Sequence, residues 1–253
     1  MCPHRFELRF LRGIKVPPGF VRAKRLVTGT GTHKGVEVNL QHKIETGELA
    51  ELEAVQEATR DATNAVWEES GAEPVKGEEG LNANAVKGAA VDTAVALVSL
   101  HYEKLAPLIK PVAVERKWVI EVPEQLADLA GTIDCDEGHR INDLKTAGMK
   151  PNAMDAHNRD QLTIYSLAKF VLDGLLPEIQ VHYLIKTKTP KFEVQYTTRD
   201  QTDYEIFFRK YDAVCRAIEA GLFPPTSQSN WWCSLENCGF ARQHCVYYRR
   251  QKK

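Results

Sequence analysis

The stretch G-T-I-D-C-D-E-G-H-R-I-N-D-L-K-T, residues 131–146, decides how this chain folds. Its pattern predicts two short strands around a tight turn. The first strand ends near Asp134, and Glu137-Gly138 supplies the turn, glycine being the residue that tolerates positive φ. The second strand carries Asp143, Leu144 and Lys145. Because side chains alternate along a strand, Asp143 and Lys145 share one face while Leu144 points into the core. Asp134 reaches that same face from the paired strand. Two carboxylates at close quarters repel, and a divalent cation relieves the repulsion by taking hard oxygen ligands. A lysine beside them stabilises developing negative charge. Such a set suits metal-assisted hydrolysis of a phosphodiester.

Working outward, residues 112–122, V-A-V-E-R-K-W-V-I-E-V, are rich in β-branched and aromatic residues and predict a strand. Two more strands are expected over 178–186 and 192–198, joined near Thr189-Pro190. Helices are expected over 2–12, with Pro3 just inside the start, and over 155–172 and 203–219. The last is ended by Gly221 and Pro224-Pro225. Between the first helix and the sheet, Pro17-Pro18-Gly19 reads as a loop. Gly29-Thr30-Gly31-Thr32 reads as a break, with Thr32 as cap and His33 opening a helix that runs to about residue 70. A polar, glycine-rich turn over 71–80 leads to a second long helix over 82–109, whose Val91, Ala94, Val95, Val98 and Leu105 predict a buried stripe. These two helices are expected to form an antiparallel pair. The order of elements predicts an α/β or α+β fold with one mixed central sheet flanked by helices. The expected organisation is a single domain, with a helical insert over about 34–110 and a core over about 111–200.

Composition narrows the function classes. The chain has 253 residues, of which 43% are hydrophobic and 26% charged, and a net charge of −1, so any nucleic-acid contact must come from a local basic patch rather than a global polycation. No apolar run approaches the roughly 20 residues that span a bilayer, and no secretory leader pattern opens the chain; a cytoplasmic protein is expected. An intracellular chain rarely uses cysteines for disulfides. Three of the six, Cys233, Cys238 and Cys245, cluster as C-x4-C-x6-C near the C-terminus, which favours metal or cluster ligation. Cys135 and Cys215 read as core residues.

Two further features sit near the hairpin in this reading. Gln161 and Tyr165 lie four apart and share one helix face, as a substrate contact or as a polar surface stripe. His33 alone would more often be a capping or surface residue, but a neutral imidazole can serve as a third metal ligand.

In order along the chain, G-T-G-T-H, G-T-I-D, I-N-D-L-K-T and Q-L-T-I-Y resemble the motifs of the PD-(D/E)XK nuclease superfamily, and most closely its RecB-like group, which includes CRISPR-associated and phage exonucleases. That resemblance implies a DNA exonuclease, with a structure-specific endonuclease or a non-catalytic DNA-binding subunit as alternatives. It implies that His33, Asp134, Asp143 and the Leu144 carbonyl bind Mg²⁺ or Mn²⁺, that Lys145 positions or activates the attacking water, and that Gln161 and Tyr165 hold the DNA. The substrate would be single-stranded DNA or duplex ends, with protein partners in DNA repair, recombination or CRISPR adaptation. Iron–sulfur members of the group carry one early cysteine before a proline and three at the far end. By that likeness Cys2, Cys233, Cys238 and Cys245 hold a 4Fe–4S cluster that staples residues 1–12 to 221–253. The spacing here is wider than the C-x2-C-x5-C more usual in that branch. A structural Zn²⁺ on the same thiolates, or with His244 substituting, is the alternative.

Overall fold

The computed structural model describes residues 2–16, 24–70, 82–230, 233–234, 237–241 and 243–249. The loop read at 17–19, the turn at 71–80 and most of the basic end at 249–253 fall outside them, in whole or in nearly all.

A five-stranded mixed sheet is the centre of the molecule. The strands are β1 (Ala113–Ile120), β2 (Leu129–Asp136), β3 (Arg140–Ala147), β4 (Glu178–Ile185) and β5 (Lys191–Thr197), in spatial order β1-β2-β3-β4-β5. All neighbours are antiparallel except β3 and β4, which run parallel. The parallel pair requires a crossover, and the helix α5 (Asp160–Asp173) supplies it. The predicted hairpin is present, with Gly138 at φ +83° in its turn. Its first strand runs on to Asp136 rather than ending near Asp134. Gly131, at the head of G-T-I-D, lies opposite Trp118, and any Cβ there would come within 2.5 Å of the indole ring.

Each face of the sheet has its own core. On one face, Trp118, Ile133, Ile141, Ile179, Val181 and Tyr183 pack against Leu162 and Tyr165 of α5 and Phe207 of α6 (Gln201–Glu219). On the other, Cys135, Leu144 and Leu184 pack against Val36, Leu40, Leu97 and Val98 from the helices that precede the sheet. Burial of such side chains, at roughly 1.5–3 kcal/mol each, is the main force holding the layers together. Cys135 and Cys215 are both buried, as expected of core residues.

The helical segment before the sheet departs from the sequence reading in two places. Three helices stand where two were expected: α2 (Lys24–Thr46), α3 (Leu52–Ser70) and α4 (Ala83–Lys104). Gly47, at φ +83°, separates the first two. The expected break at Gly29–Thr32 does not exist, and His33 lies well inside α2 rather than opening a helix. The glycines serve packing. A Cβ at Gly31 would fall 1.9 Å from the Thr63 hydroxyl, and one at Gly35 would fall 2.0 Å from the Thr59 hydroxyl. The close approach of α2 and α3 offsets the roughly 1 kcal/mol by which each glycine disfavours a helix. The buried threonines satisfy themselves on the preceding turn: Thr32 donates to the Thr28 carbonyl, Thr59 to Val55 and Thr63 to Thr59. α4 is also long and apolar enough by composition to cross a bilayer, which the sequence reading had not anticipated. Its Val86, Ala90, Ala94, Leu97 and Val98 are buried within the protein.

A buried ion cluster fixes α5 to the hairpin. Lys169, 3% exposed, bonds both carboxylate oxygens of Asp136 and contacts Asp173; Arg116 from β1 bonds the same two aspartates. Asp173 is held far below the usual carboxylate range, first by its hydrogen bond from Arg116. Removing one partner of a buried set leaves an uncompensated charge. Lys169→Ala is therefore expected to cost about 3–5 kcal/mol in urea denaturation; a change under 1 kcal/mol would show that the cluster contributes little.

Candidate active site

β2 and β3 pair only at Cys135↔Asn142 and Asp136↔Ile141, and then part. The Leu144 amide, left without a strand partner on that side, is taken by the Asp134 carboxylate at 2.8 Å. The hairpin thus opens into a fork with a carboxylate at its crotch.

Strand alternation is broken at the fork in two neighbouring strands. Ile133 belongs to the α5-side core and Cys135 to the α2–α4 side, although residues two apart in a regular strand share a face. In β1 the pairs Val114↔Cys135 and Arg116↔Ile133 bracket Glu115, which therefore stands opposite Asp134. Glu115 adopts φ +47°, a conformation that L residues avoid and that concentrates at functional sites. The distortion turns both carboxylates toward α2. There the ligand atoms of His33, Glu115 and Asp134 all lie within 4.8 Å of one another, with His33 Nδ1 3.7 Å from Asp134 Oδ2. Like charges directly across a strand pair repel, and here burial, then Asp134 and Glu37, raise the Glu115 pKa. Burial lowers that of His33 against the pull of Asp134, and the Leu144 carbonyl accepts from its ring. A cation between these groups would relieve the repulsion between the two carboxylates.

Asp143 and Lys145 share a face of β3, and Leu144 points into the core as expected. Asp143 is fully buried. Lys145 Nζ lies 2.9 Å from each of its oxygens but hydrogen-bonds only Oδ1. Oδ2 has no hydrogen-bond partner among the described residues. Burial drives the Asp143 pKa up to about 6; Asp134 adds to the rise, while Lys145 and Arg159 oppose it. Asp143 is thus ion-paired to Lys145 and lies outside the convergent trio of His33, Glu115 and Asp134.

Gln161 and Tyr165 do share a face, with Gln161 Nε2 donating to the Tyr165 hydroxyl at 2.6 Å. Tyr165 is buried edge-on against Trp118. Its pKa is raised, first by burial and then by the charges of Asp143 and Asp134. His33, Glu115, Asp134, Leu144 and Lys145 open onto a groove of about 920 Å³, walled also by Gly29, Thr30, Lys34 and Glu37 of α2 and by Thr146, Met149 and Lys186; Asp143, Gln161 and Tyr165 are not among its lining residues.

The chain matches the PD-(D/E)XK nuclease superfamily over residues 1–245. It belongs to that superfamily. The protein is therefore a nuclease of a superfamily that uses divalent metal. No curated protein matches the chain. Among solved structures it is similar to the crystal structure of a "Putative exonuclease" from Eubacterium rectale, with 12% identity, a TM-score of 0.58, and coverage of 92% of this chain and 80% of that one. At that identity the likeness is one of fold.

Two residues near this candidate site escaped the sequence reading. Glu115 was hidden because its orientation depends on a left-handed residue and a strand register that no local pattern announces. Arg159 sits at the start of α5, braced by Asp155, and its charge reaches Asp143.

The four expected cluster ligands share one cavity without converging on a point. Cys2, Cys233, Cys238 and Cys245 line one cavity of about 720 Å³, together with His4, Phe240 and Tyr247. The chain ends are tied by Arg5 donating to the Asn237 carbonyl and by Phe6 stacking on Phe223. Burial raises the Cys233 pKa, and Cys245, Cys238 and Cys2 add to it. The Thr226 amide lies 3.4 Å from Cys2 Sγ. Among the described residues, the thiols do not converge to within 4.8 Å in any group of three.

Proposed function

We propose that this nuclease is a metal-dependent DNA exonuclease whose cleavage centre is the fork between β2 and β3. The observation that carries the reading is the convergence of His33, Glu115 and Asp134 on one point in the lining of an open groove, with Lys145 in the same lining. Two of these donors are carboxylates, which suit Mg²⁺ or Mn²⁺, and the single imidazole makes the set softer than an all-oxygen one. His33, Glu115, Asp134, Asp143 and the Leu144 carbonyl would hold the ion, which supplies Lewis acidity and a more acidic bound water. The chain's own groups do the rest. Lys145, anchored on Asp143, faces the groove and places its cation against the scissile phosphate and the attacking water. Gln161 and Tyr165 orient the strand from the α5 side. Lys34, Lys145 and Lys186 line the groove with Glu37, Glu115 and Asp134, so its lysines are matched by carboxylates and a bound divalent cation would tip the balance toward a DNA backbone.

End-labelled single- and double-stranded DNA, digested anaerobically with Mg²⁺ or Mn²⁺, tests this reading. Mononucleotides released progressively from one end are expected. Discrete internal cuts would favour a structure-specific endonuclease, and intact DNA that is nevertheless bound would favour a non-catalytic role. In the same assay Lys145→Ala is expected to lose about 10²-fold or more in rate while still binding Mn²⁺. Lost Mn²⁺ binding with no separate kinetic effect would make the lysine structural.

The four-cysteine cavity supports a second element of the proposal, a 4Fe–4S cluster in a structural role. Among the described residues, four thiols and no carboxylate face one space, a soft donor set. A tetrahedral Zn²⁺ with bonds of about 2.3 Å needs sulfurs only about 3.8 Å apart. The wider spread of these thiols suits a polynuclear group better, and the Thr226 amide is placed to donate to a ligand sulfur.

A further inference from the structure

Behind the fork, on the side away from the groove, lies a chamber of about 20 Å³. His33, Glu115 and Asp134 form one wall; Asn142, His101 and His182 are among the residues that form the others. Such a volume holds one water, which needs two to four polar partners. The chamber has them in imidazoles, carboxylates and an amide.

His101 is the member that nothing else explains. It comes from the last turn of α4, is 1% exposed, and its Nδ1 has no hydrogen-bond partner among the described residues. Its ring centroid lies 5.9 Å from that of His182. His182 stands beside Leu144 in the parallel register of β3 and β4, the residue whose amide and carbonyl frame the fork. Burial pushes His101 down to about 3 and His182 down to about 4, so both rings are neutral at physiological pH and place no positive charge behind a cation. An apolar side chain of similar size would fill the position without leaving a ring nitrogen orphaned in the core. A polar residue kept there at that cost needs a partner.

We propose that His101 is a positioning residue of the metal centre, acting through one water held in this chamber and braced against the His33, Glu115 and Asp134 ligand set. The inference rests on the metal site proposed above. It makes α4 part of the active centre, because the ring that orders the ligands from behind belongs to the helical segment and not to the sheet.

The test uses the full chain and Mn²⁺ titrated by calorimetry, with melting temperature read on the same samples. His101→Phe puts a somewhat larger aromatic ring without nitrogens in place of the imidazole. It is expected to melt at or above the wild-type temperature, yet to bind Mn²⁺ about 10-fold more weakly, the lower end of what loss of an outer hydrogen-bond partner costs a metal site. A merely structural histidine would lower melting and leave the Mn²⁺ affinity of the folded protein alone. Asp134→Asn is the control. If it binds Mn²⁺ like wild type, the metal site itself has been misplaced. If it loses Mn²⁺ while folded His101→Phe retains wild-type affinity, the site stands and the role of His101 is overturned. A crystal structure of the wild type decides independently of whether the variant folds: a water within hydrogen-bond distance of the His101 ring supports the proposal, and a chamber without one refutes it.

Discussion

Asp134→Asn is expected to reduce phosphodiester cleavage by about 10³-fold or more while leaving the protein as stable as wild type, or more so. The two halves of this result have separate causes. Asparagine keeps a carbonyl oxygen to accept from the Leu144 amide, so the fork loses no hydrogen bond. It removes the charge that opposes Glu115 across the strands and that pushes the Asp143 pKa upward. With that charge goes the ligand shared by the metal site, and charge stabilisation of several kcal/mol at about 1.4 kcal/mol per decade amounts to about three decades of rate. Asp143 adds a pH signature to the metal-free protein. A carboxylic acid whose pKa is raised on folding binds its proton more tightly in the native state, so native stability falls as pH climbs from the unfolded value near 4 through about 6. Asp143→Asn should flatten that stretch of the stability profile. The checks are initial rates on end-labelled DNA and urea midpoints at pH 4 to 7. Wild-type rates in Asp134→Asn, or stability that rises across that window because of Asp143, would defeat the assignment.

How much of this was legible beforehand depends on whether a feature is local. The hairpin was legible, because a turn glycine and period-two alternation both lie within residues 131–146. The strands at 113–120, 178–185 and 191–197 were legible for the same reason, and with them the mixed sheet. The G-T-G-T-H stretch was misread because its glycines answer to Thr59 and Thr63 on another helix, and a contact between helices leaves no trace in local propensity. His33 was nonetheless chosen as a ligand candidate, and the structure places it beside Asp134. The fork was not legible at all. Alternation assigned Asp134 and Asp143 to one face, whereas the break in both strands turns Asp134 and Glu115 toward α2. Only a backbone distortion at Glu115 produces that turn, and Glu115 reads in sequence as an ordinary charged position on an edge strand. The role of α4 was hidden likewise: a histidine in the last turn of an apolar helix has no pattern of its own.

The cysteine cavity gives the second large effect. Cys2 and Cys233 lie at opposite ends of the chain, yet both line the same space. A group bound by both closes a loop of nearly the whole chain, and by the entropy of such closures this is worth about 5 kcal/mol to the folded state. At about 2–4 °C per kcal/mol for a chain of this size, Cys2→Ala should melt about 10–20 °C lower, although Cys2 is remote from the cleavage centre. The termini, tied in the folded state by Arg5 to Asn237 and by Phe6 against Phe223, should become the first sites of proteolysis. Cys135→Ala and Cys215→Ala, which touch only the protein core, should keep the bound group and its visible absorbance. The deciding measurement is iron, acid-labile sulfide and zinc per chain after anaerobic purification. About four iron and four sulfide in wild type, collapsing in Cys2→Ala, are expected. One zinc and no iron would replace the cluster with a structural ion, and the cleavage centre at the fork would stand without it, since no residue of that centre lines the cysteine cavity.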